Sequence, residues 1–156
     1  MTSLILIIGP TDSGKTTIAW KVLERLWSEA TAVRFWDKDD IEITNPKDIQ
    51  DVRNRANGEN DFQAVVSVRN QTFAITSGGD TRNTVGNGLQ WGWRIRVNGI
   101  IQCVNSSHAP SLKPLSWYRN APRKIYRTHH YIGGSSQIAQ QEADITDAIV
   151  KCVMEP

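Results

Sequence analysis

Leu4-Ile5-Leu6-Ile7-Ile8 runs straight into Gly9-Pro10-Thr11-Asp12-Ser13-Gly14-Lys15-Thr16, and these thirteen residues decide how the chain is read. Five apolar residues without alternation suit a strand buried on both faces. Gly9 to Thr16 fits G-x-x-x-x-G-K-[ST], the spacing of a loop that cradles phosphate. Gly9 and Gly14 permit backbone angles that a side chain would forbid. The loop's N–H groups and the positive end of the next helix then face an anion together. Gly9, Pro10, Thr11, Asp12, Ser13, Gly14, Lys15, Thr16 and Thr17 are the expected nucleotide-binding residues. Lys15 is expected to face solvent and bridge the outer phosphates of ATP or GTP. The Thr16 hydroxyl is expected to ligate Mg²⁺.

Outward from the loop, Ile18, Ala19, Val22, Leu23, Leu26 and Trp27 recur on one helical face, so a helix is expected over Lys15–Trp27. Ala32 to Trp36 reads as a second strand. It ends in Asp37-Lys38-Asp39-Asp40-Ile41-Glu42. Acids just past the C-terminal end of a strand lie on the ligand-binding edge of an open α/β sheet. Asp37 and Asp39 are therefore candidates for Mg²⁺, for holding a hydroxyl, or for general base work. An acidic loop capping the next helix is the alternative. Thr44-Asn45-Pro46 reads as the start of a second helix that stops near Asn57-Gly58.

Phe62–Val68 and Gln71–Thr76 are β-rich and joined by Arg69-Asn70, the pattern of a hairpin. Ser77-Gly78-Gly79-Asp80 follows. Asp80 is the only acid between Asp61 and Glu142, and reads either as a substrate-loop carboxylate or as a helix cap. Thr81–Val97 carries both a helical stripe and a strand-like alternation. A parallel sheet needs a crossover here, which favours a helix. Ile100–Val104 is a buried strand. His108–Arg123 holds three prolines and reads as a loop or lid. Its basic and aromatic residues suit phosphorylated ligands or nucleic acid, with aromatics as core and arginines as solvated surface the alternative. Arg119, Arg123 and Arg127 are the candidates to cover the phosphates. A last strand is expected within Lys124–Tyr131 and a last helix over Gln137–Met154, capped by Ser135-Ser136.

The 156 residues suit one domain with a full core. No apolar run approaches membrane-spanning length, so no membrane partner is expected. Cys103 and Cys152 form no ligand-like cluster, and two thiols without a targeting segment favour a reducing cytoplasm. His129 and His130 lack the companions of a metal site. Net charge is +2, unevenly spread. Residues 1–62 hold 8 Lys/Arg against 11 Asp/Glu, whereas 63–131 hold 9 against Asp80 alone. Such asymmetry points to an anionic partner for the middle of the chain, with a solvated basic face as the alternative.

The loop and its helix resemble the P-loop NTPases. Over residues 4–80 the order resembles small P-loop kinases of the shikimate and nucleotide kinase type. Asp37, Asp39, Ile41 and Glu42 stand near those kinases' acidic segment, shifted by one because Asp40 is inserted. Ser77-Gly78-Gly79 stands near their Gly-rich turn, with Asp80 where they carry a small residue. The resemblance implies one three-layer P-loop nucleotide-binding domain over 1–156, with a mostly parallel sheet of about five strands and a basic lid around 106–131. It implies ATP or GTP with Mg²⁺, the metal on Thr16 and Asp37. It further implies transfer of the γ-phosphate to an anionic small molecule or nucleotide, with Asp39 or Asp80 orienting the acceptor. The second strand of the hairpin ends in Thr76-Ser77 rather than the acid of motor-type NTPases. An ATP or GTP hydrolase or switch that binds a protein or nucleic acid through 81–131 is the alternative.

Overall fold

The computed structural model describes residues 2–78, 89, 91–92, 94–113, 116–131 and 134–155, and of 116 and 117 the backbone alone. The chain is α/β. Seven strands form one sheet: β1 Ser3–Gly9, β2 Ala32–Trp36, β3 Glu42–Ile43, β4 Gln63–Val68, β5 Gln71–Thr76, β6 Gly99–Asn105 and β7 Arg123–Arg127, in the spatial order β3-β2-β4-β5-β6-β1-β7. The helices are α1 Lys15–Trp27, α2 Ile49–Arg55, α3 Ser116–Asn120 and α4 Ser135–Met154. Leu89, Trp91, Gly92 and Arg94 are also helical, in keeping with the crossover expected there, while 79–88, 90 and 93 lie outside the described residues.

The sheet is mixed, not mostly parallel with about five strands. β5, β6, β1 and β7 are parallel neighbours, but β4 runs against both β5 and β2, and β3 runs against β2. Two tight turns cause this. Arg69 and Asn70 both take positive φ, 51° and 63°, the two-residue turn whose twist matches a hairpin. The second turn is built on Asp37, whose Oδ1 accepts the N–H groups of Asp39 (2.9 Å) and Ile41 (3.0 Å). That folds β3 back on β2, where only a loop was expected.

β1 shows why the run from Leu4 is unbroken. Ile5 and Ile7 belong to a core with α1 and α4, containing Ile18, Leu23, Leu26 and Ile149. Leu4, Leu6 and Ile8 belong to a second core on the other face with Leu89, Leu112 and Tyr118. Helical layers on both sides of one sheet follow directly. Within the segment expected to form a lid, Leu112, Tyr118 and Ala121 are buried in that second core, and Arg123–Arg127 is an edge strand. α2 starts later than Thr44-Asn45-Pro46 implies, because Asp48 caps it by accepting the Asp51 N–H at 2.8 Å. α4 begins at Ser135, within the pair expected to cap it. Among the described residues no helix is long and apolar enough to cross a membrane.

Candidate functional site

The five strands that point the same way end on one edge, and the Gly9–Gly14 loop leaves β1 there for α1. Gly14 sits at φ 94° immediately before α1, a conformation that favours glycine. A Cβ on Gly9 would run into the Thr128 hydroxyl just past β7. Lys15 does not face solvent: it is 6% exposed, and its ammonium donates to the carbonyls of Gly9 (2.9 Å) and Pro10 (2.6 Å). The loop is clamped from three sides. Ser13 Oγ bonds Thr128 Oγ1, Gln141 Nε2 of α4 donates to Ser13 O at 3.2 Å, and Asn105 Nδ2 at the end of β6 donates to Thr11 Oγ1 at 2.8 Å. A cleft of about 350 Å³ opens over Asp12, Gly14, Lys15, Thr16, Thr17 and Ser77.

The acid beside Thr16 is Asp61, which sequence reasoning passed over. Thr16 Oγ1 donates to Asp61 Oδ1 at 3.2 Å, and Ser77 Oγ approaches the same oxygen at 3.3 Å. β4 runs against β5, so the residue before β4 arrives at the loop-bearing edge. Trp20 fixes it there. It lies one helical turn beyond Thr16, donates from Nε1 to Asn60 O at 2.8 Å, and packs on the Phe62 ring at 4.7 Å. Phe62 N–H in turn donates to Ser77 Oγ at 2.8 Å. The residue between Asn60 and Phe62 has little choice but to face Thr16.

Asp37 is spent on the β2–β3 turn. It and Asp40, with Asp61, Lys38, Gln63 and Gly78, line a second cleft of about 180 Å³. Asp39 is not among its lining residues. Asp80 lies outside the described residues. Arg127 stands opposite Ile8 at the loop-bearing end of β1, but Arg123 stands opposite Leu4 at the other end, with Arg119 just before it. Four residues of strand, about 13 Å, separate Arg123 from Arg127. Arg119 and Arg123 are therefore not brought to the loop.

Two more residues under the site escaped notice. Gln102 is fully buried and donates to Gly78 O at 3.1 Å, while Thr76 Oγ1 bonds its Oε1, fixing the end of β5. A lone amide inside Ile100-Ile101-Gln102-Cys103-Val104 was the available signal. Gln141 is likewise buried, and accepts the His129 N–H at 2.7 Å. Among the described residues no cluster of three His, Cys, Asp or Glu could hold a metal unaided. A Mg²⁺ at Thr16 and Asp61 would thus need phosphate oxygens to complete its shell. No family model, no curated protein and no solved structure matches the chain.

Proposed function

We propose that the chain binds a Mg²⁺–nucleoside triphosphate at the Gly9–Thr17 loop and transfers its γ-phosphoryl group to a hydroxyl compound. The observation that carries this reading is Asp61, which accepts from Thr16, a residue lining the first cleft, and itself lines the second. A carboxylate between a phosphate cradle and an adjoining cleft is placed where donor and acceptor would meet. Thr16 and Asp61, not Asp37, would hold Mg²⁺, whose charge would offset that of the phosphates. Lys15 would leave the Gly9 and Pro10 carbonyls for the outer phosphate oxygens, a charge-assisted contact. Arg127 is the arginine near enough to that edge to assist.

The second cleft disfavours the anionic acceptor that the kinase resemblance implies. Asp37, Asp40 and Asp61 face it against Lys38 alone. Like charges about 4 Å apart repel by about 4 kcal/mol at an effective dielectric constant of 20. A neutral or cationic acceptor bearing a hydroxyl suits this lining.

The test is ADP release from ATP and Mg²⁺ with polyol, amino-sugar and nucleoside-monophosphate acceptors. Polyols or amino-sugars should stimulate release and monophosphates should not. Asp61→Asn should lower turnover by about 10²-fold or more, the scale of losing a placed electrostatic group, and raise the Mg²⁺ needed for half-maximal rate. Asp37→Asn should leave the Mg²⁺ requirement alone. Equal Mg²⁺ dependence in wild type and Asp61→Asn would sink the assignment.

A further inference from the structure

The described arginines divide into two sets. Arg25, Arg34, Arg53, Arg55 and Arg69 each pair with a carboxylate. Among the described residues none of Arg94, Arg96, Arg119, Arg123 and Arg127 does, and nor does Lys124. All but Arg127 of this second set lie on the edge opposite the phosphate loop. Arg94 and Arg96 lead into the start of β6, Arg119 closes α3, and Arg123 and Lys124 begin β7. Every one of them is exposed. Arg69, in the β4–β5 turn, extends the row on the same edge.

A cleft of about 380 Å³ opens in the middle of this row, among Ser3, Gln71, Asn98, Arg123, Lys124 and Cys152, and no carboxylate lines it. Arg123 is held in place there. Its guanidinium lies 4.7 Å from the Tyr118 ring centroid and donates from Nη1 to Tyr118 O at 3.0 Å. A guanidinium fixed on one side keeps its remaining N–H groups for a phosphate, the bidentate partner that arginine suits better than lysine.

We infer that this edge binds a nucleic-acid backbone, on the side of the sheet away from the nucleotide loop. The row has the shape for a polyanion rather than one small anion. From β5 to β7 are three strand intervals, about 14 Å at 4.8 Å each. At a rise of 3.4 Å per phosphate along one duplex strand, that is room for about four phosphates. The cations come from separate segments yet converge on one edge, and of those in the row only Arg69 pairs with a carboxylate among the described residues. The contacts available are to phosphate, which position a nucleic acid without reading its sequence. The inference does not depend on the proposed transfer reaction.

The experiment is fluorescence anisotropy of the full chain with mixed-sequence 20-mers, single-stranded and duplex, over a KCl series. Four phosphates predict a log–log salt slope of about −3.6 on duplex and about −2.8 on a single strand, from −0.9 and −0.7 per phosphate. Arg123→Ala/Lys124→Ala and, separately, Arg94→Ala/Arg119→Ala should each make the duplex slope shallower by about two units. The second pair avoids the Tyr118 contact and so guards against a folding artefact. Lys15→Ala should bind as the wild type does. Cys152 lines the cleft whereas Cys103 is buried, so bound oligonucleotide should slow Cys152 alkylation. Absence of binding at low salt, wild-type slopes in both double variants, loss of binding in Lys15→Ala, or equal displacement by polyglutamate of matched charge would each overturn it.

Discussion

The two edges of the sheet carry opposite charge, and they use it differently. At the loop-bearing edge Asp37 and Asp61 are engaged: one takes backbone N–H groups, the other takes the Thr16 hydroxyl. Lys15 there is buried against carbonyls. These three charged groups are each held in one geometry, as a site for chemistry on a small ligand requires. At the opposite edge Arg94, Arg96, Arg119, Arg123 and Lys124 are exposed and lack carboxylate partners among the described residues, with Arg123 resting on Tyr118 and Lys124 donating to Cys152 Sγ. Exposed, unpaired charge attracts a polyanion over a Debye length of about 10 Å at 0.1 M salt without fixing atoms. Order at one edge and surplus charge at the other suit the two different ligands proposed for them.

The largest effect that would break this division is Lys15→Ala. The variant should lose nucleotide affinity by at least about tenfold, given about 1.5–3 kcal/mol for hydrogen bonds to charged groups. It removes a side chain that is buried, so the apo protein should also lose a little stability, visible as a lower denaturant midpoint. Isothermal titration with ATP and Mg²⁺ measures the first. Unchanged ATP affinity would mean that the ordered edge is not a nucleotide site.

The ordered edge was only partly legible in the sequence. The places of Lys15 and Thr16 at the start of α1 were legible because a local motif fixes their mutual geometry within one turn of helix, but the burial of Lys15 was not. Asp61 was not, because its place depends on β4 running against the neighbouring strands, and direction is a property of pairing that residue periodicity does not encode. Arg119 and Arg123 were misplaced for the same reason. A Pro-rich basic stretch reads as a loop, but Leu112, Tyr118 and Ala121 within it are core residues, and the β7 register puts Arg123 at the end away from the loop and Arg127 at the loop-bearing end. The hairpin turn at Arg69-Asn70 was legible, and with it the evidence against a mostly parallel sheet. The expected helix over 81–97 agrees with the described residues at 89–94, while Asp80 lies outside them.

Gly9→Ala should give an intermediate effect, and it sharpens how the ordered edge is held. The new methyl would meet the Thr128 hydroxyl and Ser13 Oγ, an overpacking that costs about 1–3 kcal/mol in a tight site. Thr128→Ala in the same chain should recover part of the loss, because it removes the nearer of the two atoms. Chemical denaturation of the single and double variants reads this coupling. Additive losses would mean that loop and β7 are not in contact through these groups.

The smallest expected effect lies between the edges, at Tyr126 in β7. Burial pushes its hydroxyl up to about 12, and the hydrogen bond to Cys152 Sγ at 3.2 Å adds to that, as does the charge on the sulfur. The unfolded chain releases the same proton near 10. The folded state therefore holds this proton more tightly, and the unfolded state gives it up first. Stability from this group is complete below about pH 10 and is lost as pH rises towards about 12. Other tyrosines and lysines titrate in that range, so the quantity to measure is the difference between wild type and Tyr126→Phe. In denaturant melts the wild type should lose stability between pH 10 and 12 faster than the variant. Cys152→Ala should remove only part of that difference, because burial is the larger cause. If Cys152→Ala removes all of it, contact with the sulfur rather than burial sets the titration, and the seam between β7 and α4 is wetter than its packing implies.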